Sequence, residues 1–320
     1  MSVKSRYALV ALILFISLFA GLCLGSRTFA VSDFFSLSEI DSIILFRIRL
    51  PRVLAGFIVG AGLSVTGAVL QAMLRNPLAE SYTLGISGGA SLGICTGVLL
   101  GRMNVIPFFA FLGALASMSV ILIASIKKRL SNTTVILLGV ALNFLFSSFV
   151  LFIMAVMRND KFQPTLLWLI GDLSYFPQKI LFPGIIIISI LSLYLISSGR
   201  VYDAVSLGHD KAVSMGIDIE KEKKITFTLC CIIAGFCVSL AGIIGFVGLI
   251  MPHMARLFFG SAHRKNLPVN FLAGGSFLVL ADTLARTAIK PVEIPVGVIT
   301  GFFGGLFFLA LLLKGRYRDI

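Results

Sequence analysis

The chain has 320 residues, 58% hydrophobic and 13% charged, with a mean hydropathy of +1.03 and a formal net charge of +13. That hydropathy excludes a soluble globule and points to a polytopic membrane protein. The positive balance suits loops facing an anionic leaflet, so membrane lipid is an expected partner and nucleic acid is not.

A crossing takes about 20 apolar residues, and continuous apolar runs without period-2 alternation favour helices over a membrane barrel. Spans are expected near 8–25, 51–73, 85–101, 107–127, 133–156, 178–198, 225–244, 246–259, 268–288 and 296–314, the eighth being short. This is an all-α fold of about ten transmembrane helices in a single domain, residues 1–320. With the N-terminus inside, the cytoplasmic side collects Lys4, Arg6, Arg75, Lys127, Lys128, Arg129, Arg200, Lys211, Lys221, Lys223, Lys224, Arg256, Arg264, Lys265, Lys314, Arg316 and Arg318, 17 of the 27 basic residues. The positive-inside rule then puts both termini in the cytoplasm.

The first span follows Lys4 and Arg6 as a signal peptide would, but its run is long for one and no small-x-small cleavage site follows. Cys23 has Leu22 before it and lacks the small residue of lipoprotein processing, so the segment is expected to be an anchor. The third span carries Gly85, Gly89, Gly93, Gly97 and Gly101 at four-residue intervals, a face of bare backbone for close helix packing. Between spans two and three, Arg75-Asn76-Pro77-Leu78-Ala79-Glu80 is a polar hinge whose proline stops a helix. Trp168, in the loop after span five, reads as an interfacial anchor.

The longest hydrophilic cytoplasmic segment is about 200–224. Within it Leu207 to Gly216 reads as a short helix between two glycines, with an apolar side made by Leu207, Ala212, Val213 and Met215. Such a knob fits a soluble partner's groove, and an ordinary charged loop fits the composition equally well.

Of the 14 acidic residues only Asp282 falls clearly inside a span, four residues before Arg286 and close enough to pair with it. Ion-coupled carriers usually hold ionisable or ion-coordinating groups near the midplane, so ion coupling is disfavoured. No G-x-x-x-x-G-K-[ST] loop occurs, and ATP, if used, must bind a separate subunit. His253, Arg256 and His263-Arg264-Lys265 read as helix-end and headgroup contacts ahead of metal or phosphate ligands. The five cysteines show neither metal-ligand nor disulfide spacing. The tenth span repeats the bare face at Gly297, Gly301 and Gly305, with Thr300 as its polar side chain. It serves equally as a weakly binding pathway wall or as a packing surface.

These segments together resemble the FecCD-type permeases of ABC importers for ferric siderophores, haem and vitamin B12. The likeness runs through Arg49-Leu50-Pro51-Arg52, Gly67-Ala68-Val69-Leu70-Gln71, Arg75-Asn76-Pro77-Leu78-Ala79-Glu80 and Leu84-Gly85-Ile86-Ser87-Gly88-Gly89-Ala90. It continues through Leu207-Gly208, Met215-Gly216, Gly245 to Arg256, Ala281 to Arg286 and Glu293 to Thr300. The resemblance implies a vitamin B12 importer permease-like fold in the bacterial inner membrane, paired with a second copy or a sister permease. It implies cytoplasmic ABC ATPase subunits on one side, a substrate-binding protein on the other, and no cofactor, metal or catalytic residue of the chain's own. On the same basis the loop with Leu207, Gly208, Ala212, Met215 and Gly216 couples to the ATPase. Arg49, Arg52 and Arg286 face outward to pair with glutamates of the binding protein, and the fifth and tenth spans, with Gly297, Thr300 and Gly301, line the route. The expected function is import of an iron chelate, a ferric siderophore ahead of haem or cobalamin. An ion-coupled secondary transporter is the alternative, and a membrane enzyme or assembly factor without transport is the third reading.

Overall fold

A computed structural model of the chain describes residues 3–35, 37–101, 105–128, 130–174 and 178–313. Arg129, Lys314, Arg316 and Arg318 of the positive-inside count lie outside them, as does residue 314 of the tenth span. In chain order the helices are α1 (Val3–Cys23), a 3-10 turn (Val31–Phe35), α2 (Glu39–Ser42), a π-helical stretch (Ile43–Arg49), α3 (Leu50–Leu74), α4 (Ile86–Leu99), α5 (Ile106–Lys127), α6 (Asn132–Val156) and α7 (Asn159–Ile170). They continue with α8 (Gln178–Ser197), α9 (Gly199–Ser206), α10 (His209–Ser214), α11 (Ile219–Ala241), α12 (Val247–Phe259), α13 (His263–Thr287) and α14 (Val296–Leu313). Among the described residues the β-structure is one isolated bridge, Ile289 to Val292.

Ten of these helices lie on the ten expected spans. Seven are long and apolar enough to cross a bilayer, whereas α4 and α12 have 14 and 13 residues. At 1.5 Å per residue they rise only about 20 Å, short of the roughly 30 Å hydrocarbon core. The third and eighth spans are therefore not the full helical crossings the hydropathy suggested. Each is half a helix completed by an irregular leg.

The first leg begins where α3 stops. Arg75 takes a left-handed conformation (φ 48°), Asn76 Oδ1 accepts from the Leu78 amide at 2.8 Å, and the chain folds back along α3. Ser81 then reaches Thr66 at 3.0 Å, and the Gly85 carbonyl accepts from Ser117, midway along α5. The second leg leaves α11 at Gly242 (φ 68°) and turns into α12 at Phe246 (φ 70°).

Irregular backbone inside a membrane must find its hydrogen bonds within the protein. Asn143 of α6 meets this need for α4: its Oδ1 accepts from the Gly88 amide at 3.0 Å and its Nδ2 donates to the Tyr82 carbonyl at 2.8 Å. Lys161 of α7 donates to the Val98 carbonyl at the other end of α4, at 3.1 Å. For α12, the Glu80 carboxylate accepts from the Phe246 amide, and the Tyr82 hydroxyl from Ile244 at 3.4 Å.

The glycine faces do the close packing. A Cβ on Gly89 would lie 2.3 Å from the Gly113 carbonyl oxygen, and one on Gly93 2.1 Å from that of Phe109, so α4 and α5 meet backbone to backbone. Gly85 and Gly101, the outer members of the series, instead cap α4 and follow it with positive φ. We expect Gly89→Leu to cost more than the ~1–3 kcal/mol typical of overpacking, because carbonyl backbone cannot yield as a side chain can. Thermal unfolding in detergent checks this, and an unchanged midpoint would refute the packing account. At the centre sits α3, with Gly60 against Gly274 of α13 and Gly67 against Gly248 of α12. By contrast α6 is largely exposed along its length. Apolar side chains such as Phe144, Leu151 and Phe152 cover that face, which suits lipid or a second chain.

Candidate functional site

Two groups of side chains stand out, one at each end of the bundle. At the Arg75 end, α9 is fixed by its buried Tyr202, Ala204 and Val205, with the Tyr202 hydroxyl 3.1 Å from Thr226. Asp203 on the same helix accepts from the amides of His263 and Arg264, neutralising the start of α13. From this base α10 projects between Gly208 (φ 121°) and Gly216 (φ 81°), conformations that side-chain-bearing residues rarely adopt. Leu207, Val213 and Met215 are 56%, 53% and 62% exposed, whereas Ala212 is buried. The apolar side expected of four residues thus divides: three point outward and Ala212 seats the helix. Beside Leu207, between the end of α3 and the α12–α13 turn, opens a cavity of about 600 Å³ lined by Arg75, Asn76, Asp203, Arg256 and His263.

His253 and Arg256 do not converge on a common ligand. His253 packs edge-on against Phe307 (5.7 Å between centroids), and Arg256 Nη1 donates to Gln71 at 2.8 Å. His263 Nδ1 lies 3.2 Å from Asp203. Among the described residues no group of three His, Cys, Asp or Glu side chains is arranged to hold a metal.

At the opposite end the structure brings Arg49, Arg52 and Arg286 together. Their side chains are buried within the subunit: the residues are 4%, 6% and 4% exposed. Arg49 donates to the carbonyls of Leu22 (2.8 Å), Cys23 (3.0 Å) and Arg27 and lies over the Phe29 ring, in space that Gly25 leaves open. Arg52 spends its Nε and Nη2 edge on Asp282 at 2.9–3.1 Å and its Nη1 on Glu293 at 2.7 Å. Arg286 Nη2 donates to the Gly21 carbonyl at 2.9 Å. Its Nε sits 3.2 Å from Asp282, at ion-pair distance but off the hydrogen-bond direction.

Internal acids answer Arg52 and Arg286, whereas Arg49 is answered by backbone carbonyls and the Phe29 ring, since a guanidinium leaves water only when its charge and donors are answered. The expected Asp282–Arg286 pair is present, and Arg52 shares it. Glu293 stands at the rim with 39% of its side chain exposed. Burial alone would push its carboxyl up, but the Arg52 guanidinium and the Ser174 hydroxyl outweigh that and hold it below the ordinary value. Among the described residues Arg27, Arg47, Arg158, Lys179 and Lys290 are exposed cations at this end, with Arg27 paired to Asp41 and Arg158 to Asp160.

In α14, Gly297 donates its amide to Gly171 at 3.1 Å, and a Cβ there would strike the Ile170 carbonyl. Thr300 is fully buried and donates to the Gly297 carbonyl at 3.2 Å. These two residues pack within the subunit, while Gly301 and Gly305 face open space. Trp168 is half-buried on the core, its carbonyl accepting from Ile243 at 3.3 Å.

Sequence reasoning missed Glu80, Asn143 and Lys161, which hold the two half-helices. A lone asparagine in the apolar run Val-Ala-Leu-Asn-Phe-Leu-Phe was the visible signal for Asn143. Glu80 looked like a loop residue because the irregular leg that carries it inward has no hydropathy signature.

A model of the FecCD transport family matches residues 12–314. The chain is 33% identical over 321 residues to the iron(3+)-hydroxamate import system permease protein FhuG of Bacillus subtilis, covering 97% of this chain and 96% of that one. It is 38% identical over 290 residues to the cobalamin import system permease protein BtuC of Halobacterium salinarum, covering 89% of this chain and 78% of that one. A solved structure of a protein assigned to the metal-chelate type of ABC transporter, in an inward-facing conformation, superposes with a TM-score of 0.89 at 27% identity, covering 97% of this chain and 99% of that one. With the family's pattern running from the first span to the last, the chain belongs to the FecCD transport family and is a multi-pass membrane permease.

Proposed function

We propose that this permease carries an iron chelate, a ferric siderophore, from a substrate-binding protein to the cytoplasm. Its family makes it the membrane subunit of an ABC importer, with ATP hydrolysed on a separate subunit. The observation that carries the reading is the α10 knob: exposed Val213 on a glycine-bounded helix, flanked by exposed Leu207 and Met215, at one end of an apolar bundle. A surface of that kind gains by entering a groove on a soluble partner.

In this reading the Arg75 end is cytoplasmic, following its excess of Lys and Arg, and both termini lie there. The α10 knob meets the ATPase, and the cluster around Arg49, Arg52 and Arg286 meets the binding protein. The exposed face of α6, with Gly301 and Gly305 of α14, meets a second permease across the pathway.

Copurification with an ATPase whose turnover rises when loaded binding protein is added supports this function. Uptake driven by a proton or sodium gradient without ATP would replace it with the ion-coupled carrier. Chelate binding to the cognate binding protein tests the substrate. Affinity for cobalamin or haem in place of a ferric siderophore would overturn that part alone.

A further inference from the structure

The arginine cluster at the Arg49 end contains one contact unlike the others. Arg52 is answered on its Nε and Nη2 edge by Asp282, whose side chain is 3% exposed and out of reach of any other molecule. Its remaining nitrogen, Nη1, is answered by Glu293, whose side chain is 39% exposed. Among the described residues, therefore, the face of this guanidinium left for another carboxylate to approach is the one Glu293 covers.

Glu293 has a second attachment. The oxygen that takes Arg52 Nη1, Oε2, also accepts from the Ser174 hydroxyl at 3.1 Å. Ser174 belongs to the turn after α7, where its amide donates to Asp172 Oδ1 at 2.8 Å. That turn is tied by backbone bonds to two other elements: Asp172 donates to the Ala241 carbonyl at the end of α11 (2.9 Å), and Gly297 of α14 donates to the Gly171 carbonyl (3.1 Å). One turn earlier, the Trp168 carbonyl holds Ile243 in the irregular leg that leads into α12. Glu293 thus clips the arginine cluster to the junction of α7, α11, α12 and α14.

We propose that Glu293 is a displaceable clip. A carboxylate of the substrate-binding protein takes its place on Arg52 Nη1, and the release of Glu293 frees Ser174 and the turn after α7, passing docking on to α12 and α14. The exposed cations Arg47, Lys179 and Lys290 around the cluster complement an acidic docking face and speed its arrival. Exchange of one carboxylate for another on the same guanidinium costs little, because the buried charge is never left unanswered. The inference rests on the binding-protein docking assigned to this cluster under the proposed function.

The exchange predicts an unusual sign. Glu293→Gln keeps the shape but replaces a charged competitor with a neutral one, so the binding protein should dock more tightly. An improvement of about tenfold in Kd is expected, and basal ATP hydrolysis of the reconstituted transporter should rise with less further stimulation on docking. Ser174→Ala cuts the clip on its other side and leaves Arg52 covered. Docking should tighten modestly, because it no longer has to break the Ser174 contact, and basal hydrolysis should rise.

A merely structural Glu293 would give the opposite result, with Glu293→Gln weakening docking through a disordered Arg52. Weaker or unchanged docking in Glu293→Gln, or unaltered basal and stimulated hydrolysis in Ser174→Ala, overturns the clip. The variant Arg52→Gln, which removes the docking cation and leaves Asp282 answered by Arg286, tests the underlying docking separately, with a retained thermal midpoint as the control. If it docks as well as the wild type, the docking assignment falls; if it docks poorly while the other two variants behave as wild type, only the clip falls.

Discussion

Replacing Leu207, Val213 and Met215 together by aspartate is expected to abolish the coupling of ATP hydrolysis to substrate while leaving the transmembrane bundle folded. All three side chains are more than half exposed, so the free subunit loses little when they become polar. In the complex the balance differs: burying an apolar side chain of this size contributes about 1.5–3 kcal/mol, and an aspartate pushed into the same groove must shed its hydration without a partner. A loss of at least about a hundredfold in ATPase affinity follows, since each 1.4 kcal/mol is tenfold. The measurement is ATPase copurification and stimulated turnover, with the thermal midpoint of the permease as the control. Normal coupled uptake would remove the docking role from α10. Ala212→Leu probes the same element from below, because Ala212 is fully buried beneath the helix and a larger side chain must lift it.

The physics of the sequence explains which parts of this arrangement were legible. Hydropathy located ten helices because lipid imposes the same apolar requirement on every residue of a crossing. It placed α4 and α12 within a few residues but gave no sign that the polar leg before α4 enters the bundle, because Glu80 and its neighbours are shielded there by protein. Gly208 and Gly216 marked the ends of α10 since only glycine settles readily at their φ angles. The positions of Arg49, Arg52 and Arg286 in the chain pointed to one end of the bundle, yet their burial was hidden. For Arg52 and Arg286 it depends on Asp282, and for Arg52 also on Glu293, acids that lie 230 and 241 residues from Arg52. For Gly297 and Thr300 the spacing gave a face without saying what covers it. Ile170 and Gly171, at the end of α7, cover part of it.

That long-range dependence makes Asp282 the residue whose loss should cost most stability. It is the buried acid between two buried guanidiniums, so Asp282→Leu leaves Arg52 and Arg286 facing each other without the charge that brought them out of water. Breaking a buried pair by removing one partner typically costs about 3–5 kcal/mol, whereas replacing both partners by apolar residues is often near neutral. Arg286→Met combined with Asp282→Leu should therefore recover part of the loss, and adding Arg52→Met should recover more, although Glu293 then keeps its charge at the rim. The same logic disqualifies charge reversal at Arg52 as a clean docking test, because a glutamate there would stand beside Asp282 and Glu293 and unfold the end it was meant to probe. Thermal unfolding of the single, double and triple variants in detergent forms the cycle. Penalties that simply add would show that the three charges do not depend on one another; a triple variant more stable than Asp282→Leu alone is the result this network requires.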